Sequence, residues 1–177
     1  MLDLAALGVL LQKPLHGYRL KQQLERFMSG CISVNYGAIY PLLKRLEERG
    51  AISVITEENP DKERERKIYS ITELGKELWL QEMLAHPHES WVNARSRFAI
   101  KFFFFTHLDR VNRIKLIEHR LMVCRLRLER EQREPLPADL YQAAVWQRYL
   151  ESLQNEIEWL SAQLTEASSV AETSGCR

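Results

Sequence analysis

The residues best placed to engage a partner chemically fall between Asn35 and Leu46, in the stretch NYGAIYPLLKRL. Wound as a helix at about 100° per residue, Ile39, Leu42, Leu43 and Leu46 share one apolar stripe, and Gly37, Pro41, Lys44 and Arg45 fall roughly opposite. That outer face is small near its start and basic further along. A helix that enters a DNA major groove needs little bulk at its N-terminus and cations beyond it to meet base edges and phosphates. A recognition helix spanning about residues 35–49 is the expectation, with Asn35, Tyr36, Gly37, Tyr40, Lys44 and Arg45 as DNA-contacting residues. A merely solvated basic face is the plain alternative.

No constellation for catalysis accompanies it. His86 and His88 flank Pro87 without further spaced metal ligands, and no phosphate-cradling glycine loop or nucleophile motif occurs. The chain reads as no enzyme, with neither metal nor cofactor.

The flanking segments supply the frame for such a helix. Leu2 to Leu11 is almost wholly apolar and ends at Lys13-Pro14, so a short buried helix is expected there. His16 to Met28 gives a second helical pattern with Leu20, Leu24, Phe27 and Met28 inward, followed by a turn at Ser29-Gly30. Asn35 can cap helix three by accepting from a first-turn N–H, and Arg49-Gly50 closes it. The periodicity then changes. Ala51 to Thr56 and Lys67 to Ile71 read as two short strands, the second anchored by Ile68 and Ile71, around a charged turn at Asn59-Pro60-Asp61. Thr72 caps a fourth helix running through Trp79 and Leu84.

Three helices followed by a ribbon predict a winged helix-turn-helix. The wing, about residues 57–67, carries Lys62, Arg64 and Lys67, which could reach phosphates or an adjacent minor groove. Its acids and bases alternate, so a solvated turn of no net sign stands as the other reading.

Three of these segments together resemble the PadR-like transcriptional regulators: PLHGYRLKQQLE (Pro14 to Glu25), YGAIYPLLKRLEERGAI (Tyr36 to Ile52) and RERKIYSITELGKEL (Arg64 to Leu78). The resemblance implies a dimeric DNA-binding regulator whose third helix enters the major groove while the wing touches the backbone. It carries over to Gly37, Tyr40, Pro41, Arg64, Lys67, Tyr69, Thr72 and Gly75. Two positions depart from the family pattern: Asn35 stands where serine is usual, and Glu63 where a glycine commonly begins the wing.

The rest of the chain is helical. Glu89 to His107 places Trp91, Phe98, Phe102 and Phe105 on one side. From Ile114 the apolar steps alternate three and four, through Ile114, Ile117, Leu121, Cys124 and Leu128, and again through Trp146, Leu150, Leu153, Ile157, Leu160 and Leu164. Pro135 and Pro137 separate the two seams, which predicts an antiparallel hairpin. Such a hairpin cannot bury itself fully alone, so these residues and Phe102 are expected to form a homodimer, with a monomeric bundle as the alternative. This half resembles the long C-terminal segment of the virulence-activator branch of the same family, in RFAIKFFFF and IEWLSAQL.

The fold expected is therefore mainly α: a winged helix over 1–84, a coiled-coil-like helical dimerisation domain over 85–166 and a Ser-rich, disordered tail over 167–177. Net charge is only +1, and residues 1–80 carry 12 basic against 11 acidic side chains. Binding should then rest on a few placed cations, with a log–log salt slope of roughly −4 to −5. Cys31, Cys124 and Cys176 have no metal or CxxC spacing, and no signal peptide or membrane-length apolar run occurs, so a cytoplasmic location is expected.

The function expected is a sequence-specific dimeric regulator on a two-fold double-stranded DNA operator, with repression as the anticipated mode although no residue separates repressor from activator. The alternative is a winged-helix protein-interaction module on a coiled-coil scaffold. A small flat aromatic effector bound around Trp91, Phe98, Phe102 and Trp146 is a further partner considered, against those rings being plain core.

Overall fold

The computed structural model describes residues 1–28, 36–57 and 66–169. These form two compact units, Met1–Phe105 and Thr106–Arg177.

The first unit is built on α1 (Leu2–Gln12), which is apolar on every side and buries Leu4 through Leu10 without a break. It ends where Lys13 turns extended ahead of Pro14. Around it lie α2 (Gly17–Met28), α3 (Tyr36–Glu48), α4 (Glu73–Leu84) and α5 (Trp91–Phe103). Strands β1 (Leu15–His16), β2 (Ile52–Glu57) and β3 (Arg66–Ile71) form an antiparallel sheet in the order β1-β3-β2. The sequence led to two strands and to a second helix beginning at His16. Instead, Leu15 and His16 pair with Tyr69 and Ile68, and the helix begins at Gly17.

Strand alternation also corrects one anchor. Ile52 and Tyr69 are buried and share the inner face with Val54 and Ile71. Ile68 pairs with Ile55, which is 58% exposed, so Ile68 belongs to the outer face and Tyr69 is the inward anchor.

The junction of α3, β2 and α4 is tight. Gly50 turns the chain at φ 69°, a left-handed conformation that glycine adopts without strain. Thr72 caps α4 by accepting from Gly75 N at 3.0 Å and itself donates to Gly50 O at 2.6 Å. Thr72 N donates to Ala51 O at 3.1 Å, which draws the start of α4 onto the end of α3. A Cβ on Gly75 would lie 2.0 Å from that same Ala51 carbonyl oxygen.

Helix α5 belongs to this unit, beyond the 84/85 boundary suggested by the sequence. Its C-cap Phe104 is fully buried, edge-on to Trp79 at 6.4 Å and so close to α1 that a Cβ on Gly8 would meet the ring at 2.6 Å. Lys101, also buried, donates from Nζ to Ala85 O at 2.5 Å and so ties α5 to the C-cap of α4. Arg97 bridges Glu89 at 2.8 Å and Glu82 at 3.1 Å beside it.

The second unit is a hairpin of α6 (Arg110–Arg133) and α7 (Leu140–Ser169). Arg120 pairs with Glu156 at 2.7 Å near its middle, Arg127 with Tyr149 towards the turn, and Arg110 with the carbonyls of Ala167 and Ser168 at the open end. Pairing that runs in opposite directions along the two helices makes them antiparallel. Ile117, Leu121, Cys124, Leu153, Ile157 and Leu160 are buried in this chain, and Ile114, Leu128, Trp146, Leu150 and Leu164 are half-buried. A seam of alternating three and four steps is thus filled by the partner helix of the same chain. No helix among the described residues is long and apolar enough to cross a membrane.

Candidate nucleic-acid interface

Helix α3 presents two opposed faces. Ile39, Leu42, Leu43 and Leu46 are each 1% exposed, while Gly37, Tyr40, Pro41, Lys44 and Arg45 are all exposed. Burying four such side chains fixes the rotation of the helix, because turning it would exchange about 1.5–3 kcal/mol of burial per residue for exposure. A Cβ on Gly37 would meet nothing within 4 Å, so the start of the outer face is open space.

The outer face divides in two. Tyr40 and Lys44 stand one turn apart, the Lys44 side chain 77% exposed and only loosely paired to Glu48 at 3.8 Å. Arg45 lies about 100–140° round the helix from them. Its guanidinium is bound to Asp3 at 2.7 Å, with Arg49 3.7 Å from the same carboxylate. Arg45 therefore links α3 to α1, a role not visible in its local sequence.

Beside Tyr40 the surface falls into an open depression of about 870 Å³ between the start of α2, α3 and β3. It is lined by His16, Gly17, Tyr18, Arg19, Gln22, Tyr40, Lys67 and Tyr69. Among these described residues none is acidic, and every side chain but that of Gly17 carries a hydrogen-bond donor or can carry one. The donors are held in place. Arg19 donates to Gln22 Oε1 at 3.2 Å, Gln22 donates to the Tyr18 hydroxyl at 2.9 Å, and His16 Nδ1 donates to Lys67 O at 3.3 Å. With its oxygen accepting from Gln22, Tyr18 keeps its own proton for another partner. Gly17 lets the parts meet: a Cβ there would lie 3.3 Å from both Tyr40 and Leu43 and 3.5 Å from Tyr69.

Tyr69 is buried, and that burial, followed by the charges of Glu47 and Tyr40, raises its hydroxyl above the ordinary tyrosine value. It stays protonated and available as a donor. A concave surface with donors, two cations and no carboxylate suits an anion such as a DNA phosphate.

Of the DNA-contacting residues expected from sequence, Gly37, Tyr40 and Lys44 share one exposed face and Lys67 sits at the rim of the adjoining depression. Arg45 is directed to Asp3. Tyr36 opens α3, but its side chain, like Asn35, Lys62 and Arg64, lies outside the described residues. Tyr18, Arg19 and Gln22, which the sequence reading did not single out for the site, join Lys67 in that lining, and the Arg19–Gln22 (i, i+3) and Tyr18–Gln22 (i, i+4) spacings are a signal that could have found the cluster.

The rings proposed for an effector are placed differently. Phe98, Phe102 and Phe105 pack on one another with centroids 4.8–6.2 Å apart. Trp91 is half-buried at the start of α5, whereas Trp146 belongs to the hairpin and packs on Tyr149 at 5.6 Å.

Among known structures, Bacillus subtilis PadR in complex with operator DNA is 25% identical, with 94% of this chain and 98% of that chain covered and a TM-score of 0.47. Bacillus subtilis PadR in complex with p-coumaric acid is 23% identical, covering 95% and 99%, with a TM-score of 0.45. The protein smu.1604c from Streptococcus mutans UA159 is 22% identical over 92% and 98%, with a TM-score of 0.46. No curated protein matches the chain. Residues 6–80, which hold most of α1, all of α2 and α3, the sheet and most of α4, match the family described as transcriptional regulator PadR-like.

Proposed function

We propose that this transcriptional regulator binds its operator by setting the Gly37-Tyr40-Lys44 face of α3 in the major groove while the depression beside it seats a backbone phosphate. The observation that carries this is the continuity of the two: Tyr40, 58% exposed, belongs to the outer face of α3 and also lines the depression. Asn35 and Tyr36 at the head of the helix, and Lys62, Arg64 and Lys67 on the wing, complete the contact. A homodimer presents two such faces to successive major-groove segments roughly 34 Å apart, which implies a two-fold operator. Occupation of that operator makes repression the simplest output. The hairpin is assigned with this to the virulence-activator-like branch.

Fluorescence anisotropy on DNA from upstream of its own gene, against scrambled DNA of equal length, tests the reading. Wild type should prefer the native sequence, and Tyr40→Ala and Lys44→Ala should each lower specific affinity at least about tenfold without changing oligomeric mass. Equal, weak binding of wild type to both DNAs, with a protein captured through the winged helix, would favour the interaction-module reading instead. A flat aromatic effector belongs to the same proposal, supported by the half-buried rings of Phe102 and Trp91. Phenolic compounds should then raise the melting temperature, and a screen without any stabilisation counts against it.

A further inference from the structure

A helix about 10–12 Å across fills a major groove about 12 Å wide, so its two flanks face the two phosphate walls. At about 100° per residue, the direction opposite the buried Ile39-Leu42-Leu43-Leu46 stripe falls between Gly37 and Pro41, with Tyr40 and Arg45 each about 70° to either side of it. The two flanks are built differently. On the Tyr40 flank lies the depression, rich in donors and without a carboxylate among its described residues. On the Arg45 flank stands Asp3, whose Oδ1 accepts from Arg45 Nη2 at 2.7 Å and whose Oδ2 lies 3.7 Å from Arg49 Nη1. Each oxygen of one carboxylate thus faces one guanidinium. All three groups reach solvent: the side chains of Arg45 and Arg49 are 53% and 50% exposed, that of Asp3 32%.

Asp3 is held where it stands. It occupies the first turn of α1, where the helix start favours a carboxylate, and the unbroken burial of Leu4 through Leu10 fixes that turn. An exposed ion pair is worth little as stability, but its effect on local charge does not depend on its strength. Two arginines and one aspartate sum to +1, and the arginines alone to +2. A phosphate approaching Arg45 therefore meets a carboxylate at the same place. We infer that Asp3 is a specificity-determining residue, which withholds Arg45 and Arg49 from backbone phosphates and so limits binding to DNA of any sequence. This rests on the reading of α3 as the groove-facing helix. Phosphate attraction carries no sequence information. On the operator, base contacts fix where α3 sits, so a freed arginine gains only what that one pose offers. On other DNA the protein can shift until both arginines meet phosphates, and the advantage of the operator shrinks.

The test is anisotropy of the full chain on scrambled and on operator DNA, from about 50 to about 200 mM salt. Asp3→Asn should bind scrambled DNA at least about tenfold more tightly at the low-salt end, and its log–log salt slope should steepen by about 1 for each arginine that gains a phosphate. The ratio of operator to scrambled affinity should fall at least about threefold. Asp3→Glu, which keeps the charge, should stay near wild type. Asp3→Asn combined with Arg45→Ala and Arg49→Ala should return the slope to its wild-type value, whereas a merely structural Asp3 would move the melting temperature and not the slope. An Asp3→Asn chain with wild-type affinity and slope on scrambled DNA, or a steeper slope that survives removal of both arginines, would overturn the assignment. A wild type without preference for the operator would instead overturn the reading of α3, and the comparison on scrambled DNA would still decide the role of Asp3.

Discussion

Gly37→Ala should separate the stability of α3 from its recognition of DNA. The position lies one residue into a 13-residue helix, and an added Cβ would meet nothing within 4 Å in the protein. Alanine in a helix interior exceeds glycine by about 1 kcal/mol, and near the first turn roughly half of that is expected. Such a gain raises the melting temperature by about 2–4 °C for a unit of this size. The methyl group projects from the same face as Tyr40 and Lys44, where the helix must come closest to the floor of the groove. Overpacking a close interface costs about 1–3 kcal/mol, or roughly 5- to 150-fold in operator affinity. The assay pairs thermal unfolding with anisotropy on operator DNA. The expected result is a more stable protein that binds less tightly. Stabilisation with unchanged affinity would show that the start of α3 is not in the groove, and loss of stability would show that the open space around Gly37 is misjudged.

Gly75→Ala should act in the opposite sense on folding. Its Cβ would lie 2.0 Å from the Ala51 carbonyl, so α4 must shift and disturb the Thr72 cap. Overpacking and cap loss, less the helix gain, leave a loss of about 2–4 kcal/mol in urea unfolding. Burial, and then the charge of Arg97, lower Lys101 from 10.5 to about 8. The unfolded chain thus binds more protons between those values, so the penalty from this group is full below pH 8 and relieved as pH rises towards 10.5. The shift corresponds to about 3 kcal/mol at most, and Lys101→Met should flatten the rise seen between pH 8 and 9.5, below the range where Tyr69 enters. Arg45→Ala removes a half-exposed pair with Asp3 and should cost at most about 1 kcal/mol of stability. Operator affinity should stay within about threefold, since Arg45 lies well round the helix from Tyr40; a loss as large as that of Lys44→Ala would return it to the interface.

What could be read from the sequence depended on repetition. The α3 stripe repeats over four residues, and all four are buried. The hairpin seams repeat longer still and located α6 and α7. A two-residue strand has no period, so β1 was invisible, and its existence depends on tertiary pairing with Tyr69 and Ile68. Ile68 and Tyr69 are both good strand residues, and only the register with β2 decides which faces inward. The depression was missed for a related reason: its lining comes from α2, α3 and β3, far apart in the chain. Periodicity could show that the hairpin seams need covering, but it carries no record of which chain covers them.

Near-neutral charge and DNA binding are compatible because this surface relies on placement more than on excess cations. Among the described residues of the Gly37-Tyr40-Lys44 side of α3 and its depression, only Lys44, Arg19 and Lys67 carry formal positive charge; the other donors are the side chains of tyrosine, glutamine and histidine. Six such cations in a dimer would give a slope of log K against log salt of about −5 if every one met a phosphate, and the wing lysine and arginine would deepen it further. Neutral donors strengthen a correctly seated phosphate without adding to that slope, and they do little for a misplaced one. The ratio of specific to non-specific affinity should therefore hold up as salt rises. Tyr18→Phe, which removes one neutral donor, should lower specific affinity at constant slope, whereas Lys67→Ala should reduce the slope by about 1 for each phosphate that the lysine neutralises in the wild-type complex.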